Sequence, residues 1–298
     1  MNNKERRLKI FRCGSAAITK YTRGDSSLYY CPICGAGYPE SAAITGVDLT
    51  LEHVPPKSAG GKPILLTCRQ CNSSAGHKID VCAASKRKFE EFERVLCGHE
   101  KATIVPVTLS MANVDIVTSI CTERCFDVMP LPNANAPATM EKYKEHLRNL
   151  TANNTNEFEF KLSMTQKYDD RLYKLSQFKS AFLLVFAWLG YRYAFDPCLE
   201  IVRQQIQKPE TDILGTRFWI QGNENTPLNK VMFLRQPLPV FLVSFDGFYI
   251  ILPSLESPTD IYNSLSNHWK KGQRITLEAK VLLGSWPNKL QMKLDNFK

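Results

Sequence analysis

Two Cys-x-x-Cys pairs constrain this chain more than any other feature: Cys31-Pro-Ile-Cys34 and Cys68-Arg-Gln-Cys71. Each pair can present two thiolates from one tight turn, and the interval between the pairs is long enough for a hairpin. The chain must fold back so that all four sulfurs meet, which is the arrangement a tetrahedral structural zinc needs. A site with four cysteine ligands is closed to water. Any chemistry therefore falls to the residues held between and just after the two pairs, which are Glu52, His53, Asn72 and His77.

Those residues sit in recognisable company. Leu51-Glu-His-Val-Pro-Pro56 is followed by Gly60-Gly61 and then by Cys68-Arg-Gln-Cys71-Asn72. Residues 28 to 80 resemble the HNH endonucleases, whose ββα-metal motif is wrapped in a four-cysteine zinc site. The resemblance implies that His53 is the general base activating a water, and that Glu52 and Asn72 hold a divalent cation, magnesium or manganese. A hard cation takes carboxylate and amide oxygens and leaves positions open for phosphate oxygens. His77 would be a further cation ligand, a phosphate contact or a helix cap. The family's middle asparagine usually lies nine residues before the metal-binding one, where this chain has Pro63. Some other group must then orient His53.

The implied activity is metal-dependent hydrolysis of phosphodiester bonds, with DNA as the expected partner and restriction or phage defence as the setting. Two other readings stay open: a zinc-bearing protein that binds nucleic acid without cutting it, and a nuclease acting mainly on RNA. No membrane partner is expected, and the sequence leaves oligomeric state and protein partners open.

Composition bears on compartment and charge. The N-terminus is polar and basic, without the apolar stretch of a secretory signal. Of ten cysteines, the six outside the two pairs (13, 82, 97, 121, 125 and 198) form no disulfide-like framework, so a reducing cytoplasm is expected. Residues 1 to 98 carry 15 Lys and Arg against 9 Asp and Glu, a surplus of six out of the chain's nine. Much of it lies in Lys4-Glu-Arg-Arg-Leu-Lys-Ile-Phe-Arg12, whose interleaved Leu8, Ile10 and Phe11 suit a segment that touches phosphates while packing its apolar side. A solvated tail is the other reading of this stretch.

The predicted fold class is α+β: a basic arm over 1–27, a nuclease module over 28–98 closed by Gly98, and a separate α+β domain over 99–298 for target choice or control. Strands are predicted near 26–30, 47–53, 102–109, 114–121, 125–131 and 157–162, and again over 217–221, 230–234, 240–252 and 275–283. Asp246-Gly247 marks a hairpin. Helices are predicted from Asn72, over 83–97, 140–150, 168–195 and 197–207, and around 260–270. Ala181 to Gly190 is apolar on every face, but ten helical residues span only about 15 Å, half a bilayer core. A buried central helix is the expectation.

Overall fold

The computed structural model describes residues 1–22, 27–97, 105–111, 113–121, 127–131, 133–152, 159–165, 168–215, 217–223, 225–236, 238–245, 247–268 and 278–296. The chain divides into two compact units, residues 1–83 together with 169–298, and residues 84–168. This differs from the sequence expectation of a boundary at Gly98, because the first and last segments share one core. A zinc hairpin of about 50 residues has little apolar surface of its own, and here Leu49, Val54, Ile64, Leu65 and Leu66 belong to the core that residues 175–292 complete. A helix that is apolar all round needs cover on every side.

The first unit opens with α1 (Asn3–Thr22), which buries Ile10, Phe11, Ala17 and Ile18. Over residues 3–22 the stretch expected as a basic arm is thus a packed helix, with Lys4, Lys9, Arg12 and Lys20 exposed. A two-stranded ribbon of β1 (Tyr29–Tyr30) and β2 (Gly37–Tyr38) flanks the first cysteine pair. There follow α2 (Glu40–Thr45), β3 (Leu49–Val54) and β4 (Lys62–Cys68), the last two forming an antiparallel hairpin. Arg7 joins the helices, its Nε donating to Ala43 O at 2.7 Å and its guanidinium also to Ile44 O at 3.0 Å, where the last carbonyls of α2 need donors. Next comes α3 (Arg69–Ala75), starting three residues before the Asn72 expected to open it. A π-helical turn, Gly76–Asp80, leads on into α4 (Val81–Leu96).

The second unit is a sheet in the order β7-β6-β5-β8, made of β5 (Val105–Met111), β6 (Val114–Cys121), β7 (Asp127–Pro130) and β8 (Lys161–Ser163). Helix α5 (Pro137–Ala152) packs Tyr143 onto Leu109, Met111 and Ile116 of this sheet. The parts of the predicted strands at 102–104, 125–126 and 157–158 lie outside the described residues.

The first unit resumes with α6 (Asp170–Leu189), capped by Asp169, whose carboxylate accepts from Leu172 N at 2.9 Å. From Leu175 to Leu189 every residue of α6 is buried, as its all-apolar run requires. Short α7 (Tyr191–Ala194) and α8 (Glu200–Gln207) follow. The C-terminal sheet is antiparallel in the order β13-β10-β11-β12-β9. Its strands are β9 (Trp219–Gln221), β10 (Lys230–Gln236), β11 (Val240–Phe245), β12 (Phe248–Pro253) and β13 (Glu278–Ser285), with α9 (Ile261–His268) before the last strand and α10 (Lys293–Asn296) after it. Phe245 pairs with Phe248 across the predicted two-residue turn, whose Asp246 lies outside the described residues. Among the described residues no helix is long and apolar enough to cross a membrane.

Candidate functional site

The four cysteines meet. In the first pair the turn closes through Gly35 N donating to Cys31 O at 2.8 Å and Cys31 N donating to Ala36 O at 2.9 Å. Gly35 sits at φ 76°, a left-handed position that a side chain resists. In the second pair Cys68 caps α3, its sulfur accepting from Cys71 N at 3.4 Å. One pair thus leaves a ribbon and the other straddles a strand end and a helix start. Their ligand atoms all lie within 4.8 Å of one another.

The spacing fits a metal and excludes a disulfide. Cys34 Sγ and Cys68 Sγ are 3.8 Å apart, whereas a disulfide bond is about 2.05 Å. A tetrahedron with metal–sulfur bonds of about 2.3 Å has edges of about 3.8 Å. Cys31 foremost, with Cys71, pulls the Cys34 thiol down to about 7 against the opposing effect of Cys68, so a thiolate is within reach at neutral pH. Among the described residues this is the only group of three or more His, Cys, Asp or Glu side chains close enough to hold a metal.

The hairpin of β3 and β4 hangs from this cluster at one end and carries His53 near the other. Leu49 pairs with Cys68 beside the cluster, and His53 pairs with Pro63 at the far side of a register shift that leaves Ile64 as the extra residue. The bulge separates Glu52, which is buried, from His53, which is half-buried. Beyond β3 the loop folds tightly onto itself. A Cβ on Gly61 would lie 1.5 Å from Pro55 O, so the second glycine of the Gly-Gly pair is required by close backbone approach.

The His53 side chain has no hydrogen-bond or ion-pair partner among the described residues, and the Pro63 opposite it offers none. Packing therefore orients the ring. Burial pulls its pKa below the ordinary value; Glu52 pushes up, while Lys57 and Arg6 push down again. The imidazole is neutral near pH 7, with both cations close enough to act on it. Asn72 is tied to the same strand, its side-chain amide donating to Thr50 Oγ1 at 2.9 Å and to Leu51 O at 3.1 Å. His77 lies on the π-helical turn, exposed to solvent, and does not join a cluster with Glu52 or His53.

Glu52 points into the core. Its Oε1 accepts from Lys179 Nζ of α6 at 2.9 Å and its Oε2 from Thr67 Oγ1 at 2.6 Å. Lys179 also donates to Asp80 Oδ2 at 2.6 Å, and Ser176 Oγ to Asp80 Oδ1 at 2.7 Å. Burial alone would pull Lys179 down, yet Glu52 and Asp80 together raise it above its ordinary value, so the ammonium persists. Both oxygens of Glu52 are thus engaged in this arrangement. Lys179 reads from the sequence only as a flank of the apolar run. The signal that could have found it is a lone lysine amid a helix face with no other charge, since a buried ammonium demands carboxylates.

Compared with known proteins, the chain matches no family model, no curated protein and no solved structure.

Proposed function

We propose that the first unit is an HNH-type endonuclease that hydrolyses phosphodiester bonds in DNA, with a structural zinc in the four-cysteine cluster and His53 as general base. One observation carries the reading. A neutral imidazole without a partner stands near the far end of a hairpin whose other end is held by the cysteine cluster, and Asn72 of the following helix is bonded to the same strand. That is a β-β-α order with a free proton acceptor, which supports the ββα-metal resemblance.

The chemistry follows from these groups. His53 accepts a proton from a water whose oxygen attacks phosphorus. The phosphorus–oxygen bond on the 3′ side breaks, and the leaving oxygen takes up a proton from solvent. Lys57 and Arg6, which already bias His53, supply positive charge where the negative charge of the transition state grows. The resemblance also implies a magnesium or manganese ion on Glu52, Asn72 and His77. The residues present do not fit that ion, because Glu52 is held by Lys179 and Thr67, and His77 stands apart in solvent. No step above depends on it.

That same engagement of Glu52 favours a second reading, nucleic-acid binding without cleavage. Incubating the full chain with supercoiled plasmid, single-stranded DNA and RNA, each with magnesium, manganese or chelator, separates the two. Nicked or linear plasmid supports the nuclease. Retarded but intact nucleic acid on every substrate supports the binding protein, and cleavage confined to RNA moves the activity to that polymer.

A further inference from the structure

We propose that a cationic cleft beside His53 is the seat of a nucleic-acid strand, taking its phosphates on Arg6, Lys9, Lys62 and Lys289. The cleft has a volume of about 620 Å³, within the range of small-ligand sites. Three parts of the first unit build it: the outward side of α1, the start of β4, and the segment before α10 that carries Asn288 to Leu290. Its floor is apolar, with Ile10, Ile64 and Leu290 all buried. This inference rests on the nuclease reading for its orientation, and adds a binding site that joins β4 of the motif to α1 before it and to residues 288–290 near the far end of the sequence.

Charge identifies the occupant. Four cations line the cleft and no aspartate or glutamate does. Among the described residues none of the four makes a salt bridge, while Arg12 and Lys78 elsewhere on this unit do. Unpaired cations around one concavity raise the local concentration of a polyanion. Position then selects a phosphodiester strand. Lys62 pairs with Val54 and Pro63 with His53 across the hairpin, so the wall of the cleft and the proposed base stand on paired residues of neighbouring strands. Arg6 both lines the cleft and acts on the His53 charge. A strand seated on these cations is delivered to the imidazole. The apolar floor can cover sugar and base edges, and the absence of aromatic residues from the lining argues for backbone contact without base stacking.

The test is binding, read apart from cleavage. Fluorescence anisotropy with a labelled 20-nucleotide DNA strand, in chelator, compares the full chain with Lys9→Glu/Lys289→Glu and with Lys142→Glu on the second unit as a control for bulk charge. Thermal melts confirm that each exposed substitution leaves the fold intact. The expected result is a loss of affinity of about tenfold or more for the cleft variant. Its log–log salt slope falls by roughly 1.4, at about 0.7 for each lost single-strand phosphate contact. The control should stay within about twofold. Equal binding by all three proteins overturns the cleft while leaving any cleavage by the wild type, and so the nuclease reading, standing. Polyglutamate binding as tightly as DNA, with the same loss in the variant, also overturns it. Cleft-dependent DNA binding by a wild-type protein that cuts nothing supports the cleft and removes the nuclease.

Discussion

Lys179 Nζ lies 2.9 Å from Glu52 Oε1, with the lysine side chain 1% and the glutamate side chain 3% exposed. This contact joins the middle of α6 to the strand that carries His53, across 127 positions of sequence. Taking both charges out of water is tolerable only because each is met by the other and by Thr67 and Asp80. The pair fixes where β3 ends relative to the central helix.

Removing the ammonium leaves two carboxylates buried without a counter-charge. Lys179→Met is therefore expected to lower unfolding stability by about 3–5 kcal/mol, measured by urea denaturation. A change below about 1 kcal/mol would show that the cluster does not hold the unit together.

Glu52→Gln separates two roles for one residue. As a core anchor, the amide can still accept from Lys179, which keeps Asp80 as its counter-charge, so a modest loss of about 1–2 kcal/mol is expected. Cleavage well below the melting temperature should then stay within about tenfold of wild type. A variant of unchanged stability that no longer cuts would instead make Glu52 a cation ligand, and would mean that the contact with Lys179 gives way when the ion binds.

The cluster of Cys31, Cys34, Cys68 and Cys71 is expected to hold one zinc per chain by elemental analysis. Cys68→Ser should lose both the metal and the fold of the first unit, because metal binding at such a site is also folding energy. The serine hydroxyl can still accept from Cys71 N as the cap of α3, so the loss reports the metal and not the cap. A zinc-free wild type, or a Cys68→Ser protein with wild-type melting, would rule this out.

Much of the architecture is legible in the sequence because its signals are local. Two Cys-x-x-Cys turns, an Asp-Gly hairpin between alternating strands and an apolar run of helical length each specify their own neighbourhood, and each forms as expected. Of the candidate residues, His53 and Asn72 come to the same hairpin. The rest depends on pairings that spacing cannot reveal. Nothing near Glu52 announces that its partner lies on α6. Nor does the basic N-terminal stretch announce that it is a helix burying Ile10 and Phe11 in a core shared with residues 169–298.

That shared core bears on truncation. A fragment ending near Gly98 holds all the motif residues, but it lacks α6 and so leaves Glu52 without Lys179 and the inner side of the hairpin uncovered. It is expected to be unfolded even with zinc, by circular dichroism and by poorly dispersed amide signals in NMR. A folded, zinc-loaded fragment would show that the hairpin is stable without the central helix.

The most direct measurement is plasmid cleavage by His53→Ala in the full chain, with zinc content and melting temperature recorded on the same preparation. The His53 side chain makes no polar contact among the described residues, so its removal should leave both metal and fold as they are. Loss of the base should lower the cleavage rate by about 10²–10⁴. A folded, zinc-loaded His53→Ala protein that cuts at close to the wild-type rate would contradict the assignment of His53 and, with it, the nuclease site built around the hairpin.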